Sequence, residues 1–158
     1  EHDTGHGHPE CSARLSTSLN YLTEQSWYKS LIQLEPHSVE LEKLLYVHDT
    51  AYLRRAEEVC RSGNSYLDSM DVSVCTESFD IALLAAGSCI QLADNVVNNK
   101  IDNGFALIRP PGHHAEMSMA MGFCLFNNIA VSARHLQHVH GLDKIAIIDW
   151  DVHHGNGT

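Results

Sequence analysis

Hydrophobic positions recur at different spacings along the chain, and the changes in spacing divide it into elements. After a polar stretch rich in His, Gly and Pro over residues 1–14, Leu15, Leu19 and Leu22 fall at helical intervals. The polar residues among Ser16 to Ser26 supply the other face. Residues 30–35 are apolar enough for a short strand. Ser38 is placed to cap a helix through Tyr46, and Asp49 or Thr50 to cap another that runs to about Arg61 and closes at Ser62-Gly63-Asn64. A loop over 65–75 carries Asp68 and Asp71 without periodicity. Thr76 then predicts the start of a long helix whose Phe79, Ala82, Leu83, Ala86, Ile90, Ala93 and Val97 form one stripe, ending near Asn98-Asn99.

Beyond that helix the apolar residues run together. Residues 105–108 read as a short buried strand, stopped by Arg109-Pro110-Pro111-Gly112, which can continue neither a ladder nor a helix. Asn127 or Asn128 opens a helix through about His138, with Gly141 helping to end it. Residues 145–148 are too short for a helix and uninterrupted in their apolarity, as in a strand covered on both faces of a parallel sheet. Helix alternating with apolar strand predicts a layered α/β fold with a mainly parallel sheet.

Composition narrows the picture. A chain of 158 residues with 44% hydrophobic content predicts one globular domain with an ordinary core. No apolar stretch is expected to approach the roughly 20 residues of a membrane span, and the amino terminus lacks the pattern of a signal peptide. It opens on Glu1 in a loop-like stretch, so the sequence reads as cut at both ends. The formal net charge of −10 argues against direct nucleic-acid binding and suits a cationic partner, though it also serves plain solubility. Cys11, Cys60, Cys75, Cys89 and Cys124 form no CxxC pair, which predicts free thiols in a reducing compartment.

The candidate chemistry lies at two predicted strand exits. Asp149, Asp151 and His153 follow the last apolar run at a spacing of two, which places side chains of an extended segment on one side. Ligands of open α/β sheets sit beyond the carboxyl ends of the strands, so the His113-His114 loop and the Asp151/His153 pair are expected to meet there. Carboxylate and neutral imidazole suit Zn²⁺, whose catalytic sites take three protein ligands and leave a position for water. Two are adjacent here, and the third is expected beyond the end of the chain.

Arg109-Pro110-Pro111-Gly112-His113-His114-Ala115, Gly122-Phe123-Cys124-Leu125-Phe126-Asn127-Asn128 and Asp149-Trp150-Asp151-Val152-His153-His154-Gly155-Asn156-Gly157-Thr158, with His8-Pro9-Glu10 and Arg14 before them, resemble the histone deacetylase family. The likeness is strongest to its class II branch and to acetylpolyamine amidohydrolases. It implies a three-layer α/β/α arginase-deacetylase fold, of which residues 1–158 would be a partial catalytic domain, and hydrolysis of acetyl amides on lysine or polyamines. Under this resemblance Asp151 and His153 bind Zn²⁺, His114 is the general base and acid, and His113 contributes electrostatics and positioning. Asp149 orients His113 and helps to bind a structural K⁺, while Asn156 orients His114, Asn in place of Asp being a class II trait. Phe123 lines the acyl-lysine tunnel, the Gly122 carbonyl accepts the substrate amide, and Arg14 belongs to an internal cavity serving acetate release. Asp71, with Asp68 the alternative, is the rim acid that fixes the substrate backbone. The implied partners are acetylated histones or other proteins, acetylpolyamines and, in a eukaryote, a corepressor complex acting in chromatin regulation. No membrane partner is implied, and the compartment is intracellular, cytoplasm or nucleus.

Other readings compete on the residues alone. Loop histidines such as His113 and His114 are often surface groups, Phe123 alone would be a core aromatic, and Arg14 a salt-bridge arginine. His154 reads as structural, His135, His138 and His140 as solvated helix-end residues, and Cys124 as small apolar packing. For function, the alternatives are a non-catalytic binding module and an arginase-like ureohydrolase, which would need further Asp/His motifs for two manganese ions.

Overall fold

A computed structural model describes residues 1–158. Five α-helices follow in chain order: α1 (Ala13–Thr23), α2 (Leu41–Leu44), α3 (Thr50–Arg61), α4 (Ser78–Val97) and α5 (Asn128–His140), with a 3₁₀ turn at Tyr28–Ser30 after α1. The longest predicted helix lies where its apolar stripe placed it, though it starts at Ser78 after Glu77 rather than from a Thr76 cap, and its neighbours α3 and α5 start at the predicted caps. Helix α2 is a single turn with Glu40 rather than Ser38 before it, and α1 buries none of its residues.

The core lies between α3, α4 and the loop that leads into α5. Phe126, fully buried, meets Phe79 and Tyr52 edge-on at ring separations of 5.6 and 6.4 Å. The Tyr52 hydroxyl donates to the Leu125 carbonyl at 2.5 Å, so its polar end is also satisfied. The stripe of α4 contributes Phe79, Ala82, Ala86 and Ile90, and α5 contributes Val131. Gly87 is fixed by a close approach: a Cβ there would stand 1.9 Å from the His37 carbonyl, where residues 37–39 cross the helix and the Val39 N–H donates to Leu83. At 20 residues, α4 is long and apolar enough to span a membrane by length and composition, contrary to expectation; its stripe is instead spent on the protein core.

Helix ends follow local chemistry where a side chain is available. Asp49 caps α3 by accepting the Tyr52 N–H at 2.6 Å, Asn127 caps α5 by accepting the Ala130 N–H at 3.1 Å, and left-handed Gly141 ends α5. Asp49→Ala is expected to destabilise the protein by about 1 kcal/mol in urea denaturation. A change below a few tenths would contradict the cap.

The three apolar runs behave differently. Residues 30–35, 105–108 and 145–148 form no β-ladder, and no backbone group of the latter two enters a backbone hydrogen bond. None of the side chains in the latter two runs is buried: Phe105 is 78% and Ile148 84% exposed, while Ala106, Leu107, Ile108 and Ile145 are half-buried. A parallel strand is covered and paired only by other segments. None of these runs pairs with another. The only bridges are isolated ones, Tyr66 with Ser73 and Met121 with Cys124.

Two side-chain expectations also change. His135 is buried and His140 half-buried, both turned onto Asp94 of α4, because this face of α5 packs against α4 rather than facing solvent. His138 is exposed but stacks on Tyr46 at 4.5 Å.

Candidate active site

The loop after Pro111 and the segment from Asp149 to Thr158 are brought together as the two strand exits predicted. Gly157 N–H donates to the His113 carbonyl at 2.9 Å, and Asn127, buried at the start of α5, donates to Thr158 Oγ1 at 3.1 Å and to the Ala115 carbonyl at 3.4 Å. His48 completes the frame. Its Nδ1–H donates to the Glu116 carbonyl at 2.8 Å and its Nε2 accepts the Asn127 N–H at 3.0 Å, so the ring is neutral, and burial pushes its pKa down.

Within that frame each of the tandem histidines has its own orienting partner. His113 Nδ1–H donates to Asp149 Oδ2 at 2.8 Å, and His114 Nδ1 lies 2.7 Å from Asn156 Oδ1. The direction of the second bond follows from the other end of the amide. Asn156 Nδ2 donates to the Glu116 carboxylate at 2.7 Å, which leaves Oδ1 facing His114 and makes His114 Nδ1 the donor. A neutral His114 therefore carries its free lone pair on Nε2. The two rings lie 4.1 Å apart, with His153 6.0 Å from His114.

Asp151 and His153 are hydrogen-bonded to each other through their side chains. Asp151 Oδ1 lies 2.9 Å from His153 Nδ1, close to the ~3.3 Å that separates two donors of one tetrahedral zinc at ~2 Å each. Asp151 also accepts the His153 N–H at 2.7 Å, and this backbone bond is the main reason its carboxyl stays below the usual range. Asp149 is held low chiefly by His113, and its other oxygen accepts the Asp151 N–H at 3.1 Å. The donor set and its geometry fit a zinc ion, with two ligands supplied by these residues. Asp149, Asp151, His153 and His154 line one open cleft with Ile145 and Ile147.

A tight turn closes on the histidines from the other side. Met121 and Cys124 exchange backbone hydrogen bonds, and the central residues Gly122 and Phe123 have φ of 54° and 69°, the pattern of a type I′ turn. Gly122 has no room for a side chain, since a Cβ would stand 2.2 Å from His114 Cδ2. Phe123 holds a backbone conformation that bulky residues rarely adopt, and packs edge-on against His8 at 4.8 Å. Asp71 accepts the Gly122 N–H at 2.8 Å and a bond from the Ser69 hydroxyl, the latter doing most to hold its carboxyl low. Asp68 is occupied elsewhere, bound by Arg55 at 2.9 and 3.2 Å and by the Ala120 N–H. Arg14 is over half exposed and reaches Glu10 at 3.3 Å, in a cleft with Leu107, Ile108 and Arg109 rather than in an internal cavity. Cys124 is buried, and burial pushes its thiol up to about 12, so it is inert packing.

The comparisons decide what this arrangement belongs to. The histone deacetylase domain matches residues 8–158. This chain belongs to the histone deacetylase family. It is 40% identical to a probable deacetylase of Archaeoglobus fulgidus, over all of this chain and 44% of that protein. It is 37% identical to the human polyamine deacetylase HDAC10, over 94% of this chain and 24% of that one. A histone deacetylase-like amidohydrolase of Pseudomonas aeruginosa is 40% identical over 96% and 40% of the two chains. Among solved structures, the HDA15 HD domain superposes with a TM-score of 0.88 at 38% identity, covering 95% of this chain and 42% of that one. The histone deacetylase fold is thereby shared, and the chain spans less than half the length of these relatives.

Two residues at this site, Glu116 and His48, carry no role in the sequence, and a third, His8, carries no visible contact there. Glu116 fixes the Asn156 amide, and its signal was an acid two residues after the histidine pair. His48 had no local signal, because its partners lie 68 and 79 residues away. His8 appears in a matched motif, yet nothing in the sequence shows its contact with Phe123.

Proposed function

We propose that this protein hydrolyses acetyl amides in a zinc-dependent reaction. The observation that carries the proposal is the pairing of His113 with Asp149 and of His114 with Asn156 beside the hydrogen-bonded Asp151 and His153. Asp151 and His153 would hold the zinc, which when bound polarises the acetyl carbonyl and acidifies a water molecule. His114 Nε2 takes a proton from the water as its oxygen attacks the acetyl carbon, then gives it to the leaving nitrogen as the C–N bond breaks, yielding acetate and amine. His113 holds and orients the reacting water, with Asp149 fixing its tautomer. Asn156 does the same for His114 without adding a negative charge, in the class II manner. The Gly122 carbonyl accepts the substrate amide N–H, Phe123 walls the acyl chain, and Asp71, already turned to the Gly122 loop, is the rim acid. Arg14 is read as serving acetate release, and a K⁺ beside Asp149 as structural.

The substrate class is an acetylated amine, on a histone, another protein or a polyamine, and a formal charge of −10 favours such cationic partners. In the complete domain, residues 30–35, 105–108 and 145–148 are read as strands of a mainly parallel sheet within three α/β/α layers. Cytoplasm or nucleus, and a role in chromatin with corepressors, follow from the class II reading. The double variant Asp151→Asn with His153→Ala is expected to abolish acetate release by the full-length gene product, whereas zinc restores it to chelator-stripped wild type. Retained zinc-dependent turnover in that variant would refute the assignment.

A further inference from the structure

The acetyl-amide reading leaves one cluster of ligating side chains unused, where the end of α4 meets the end of α5. Asp94 Oδ1 lies 2.8 Å from His135 Nε2 and 2.7 Å from His140 Nε2. All three atoms fall within 4.8 Å of one another. Hydrogen bonds from the two imidazoles outweigh the effect of burial and hold the Asp94 carboxyl below its usual range, so it stays ionised. The second ring nitrogen of His135 is buried without a partner, as is the Ser132 hydroxyl one turn earlier on the same helix face. A histidine that binds metal through Nε2 carries its proton on Nδ1 and gives it to an acceptor. The turn from Ser132 to His135 carries both members of that pair, and neither atom has a hydrogen-bond partner.

We propose that Asp94, His135 and His140 form a second divalent-metal site, of the zinc and cobalt class, separate from Asp151 and His153. Two imidazoles and one carboxylate match the ligand preference of those ions. The Nε2–H protons that now point at Asp94 leave on binding, one passing to His135 Nδ1 for Ser132 and one to the partly exposed His140 Nδ1. Rotation of the half-buried His140 ring brings the third donor into range. The ion would tie the two helices that feed the site segments. Helix α4 leads to the His113-His114 loop, and α5 leads to Asp149.

The test is Co²⁺ titration of the full-length gene product carrying Asp151→Ala and His153→Ala, which removes the other proposed site. One equivalent is expected at micromolar Co²⁺, with the ring-proton signals of His135 and His140 shifted in the NMR spectrum. His140→Ala and, separately, Asp94→Asn should each weaken uptake by at least about tenfold, the loss that even an outer partner's removal causes. No uptake below roughly millimolar Co²⁺, or shifts confined to other histidines such as His2, His6 and His8, would mean an adventitious ion only and overturn the proposal. Uptake unchanged in both variants would do the same. The NMR shifts need no substitution at the new site, so a misfolded variant does not blunt the test.

Discussion

Replacing His114 with alanine is expected to lower turnover of an acetyl-amide substrate by ~10²–10⁴-fold in the full-length gene product, with zinc content unchanged. The expectation rests on a chain of bonds rather than on the motif. Glu116 fixes the amide of Asn156, Asn156 fixes the tautomer of His114, and the free Nε2 follows. In the proposed mechanism a base held this way would remove and return the proton that the reaction needs. Under the proposed assignment Asp151 and His153 would hold the zinc and His114 would not, so zinc content is the discriminating readout. Loss of zinc along with activity would therefore move His114 into the ligand set, and unchanged turnover would remove it from the mechanism.

Replacing Glu10 with glutamine is expected to cost ~3–5 kcal/mol of stability. Glu10 is 1% exposed and Arg109 6% exposed. Arg109 Nε and Nη2 donate to the two Glu10 carboxylate oxygens at 2.5 and 2.7 Å, and Nη2 also donates to the Glu10 carbonyl at 3.2 Å. His2 Nε2 stands 3.5 Å from the same carboxylate. Removing the carboxylate charge leaves a buried guanidinium uncompensated, which costs far more than the pair contributes over an apolar replacement. Burial alone would raise the Glu10 pKa; the bonds from His2 and Arg109 outweigh it and bring it from 4.5 to about 2. A depressed folded pKa means that this contribution is present above about pH 4.5 and is lost as pH falls toward 2. Acid denaturation of Glu10→Gln should be flatter across that window than that of wild type. A stability loss under about 1 kcal/mol would contradict the pairing.

What the sequence disclosed, and what it did not, follows from range. The stripe on α4 and the caps Asp49, Asn127 and Gly141 depend on residues within a few positions, and each was readable from spacing. The meeting of His113-His114 with the segment after Asp149 was expected from shared strand exits; the proximity is present, but it is held by loop bonds such as Gly157 N–H to the His113 carbonyl rather than by a paired sheet. Contacts between distant segments left no such trace. Glu10 finds Arg109 99 residues away, and Asp94 finds His135 and His140 41 and 46 residues away. Histidines near a helix end look solvated in sequence, and only the packing of α5 on α4 shows that His135 is covered. The apolar runs at 105–108 and 145–148 carry the composition of buried strands, yet composition supplies no partner. Phe105, Ile147 and Ile148 stay exposed, and Ala106, Leu107, Ile108 and Ile145 only half-buried, where no neighbouring strand lies alongside.

Acetate release by the full-length gene product tests the central claim most directly. An acetylated lysine peptide and an acetylpolyamine would be offered to protein stripped with a chelator, before and after zinc is returned. The account predicts no release from stripped protein and recovery with zinc on at least one of the two substrates. Release that persists without metal, or none from either substrate in zinc-loaded folded protein, would contradict it.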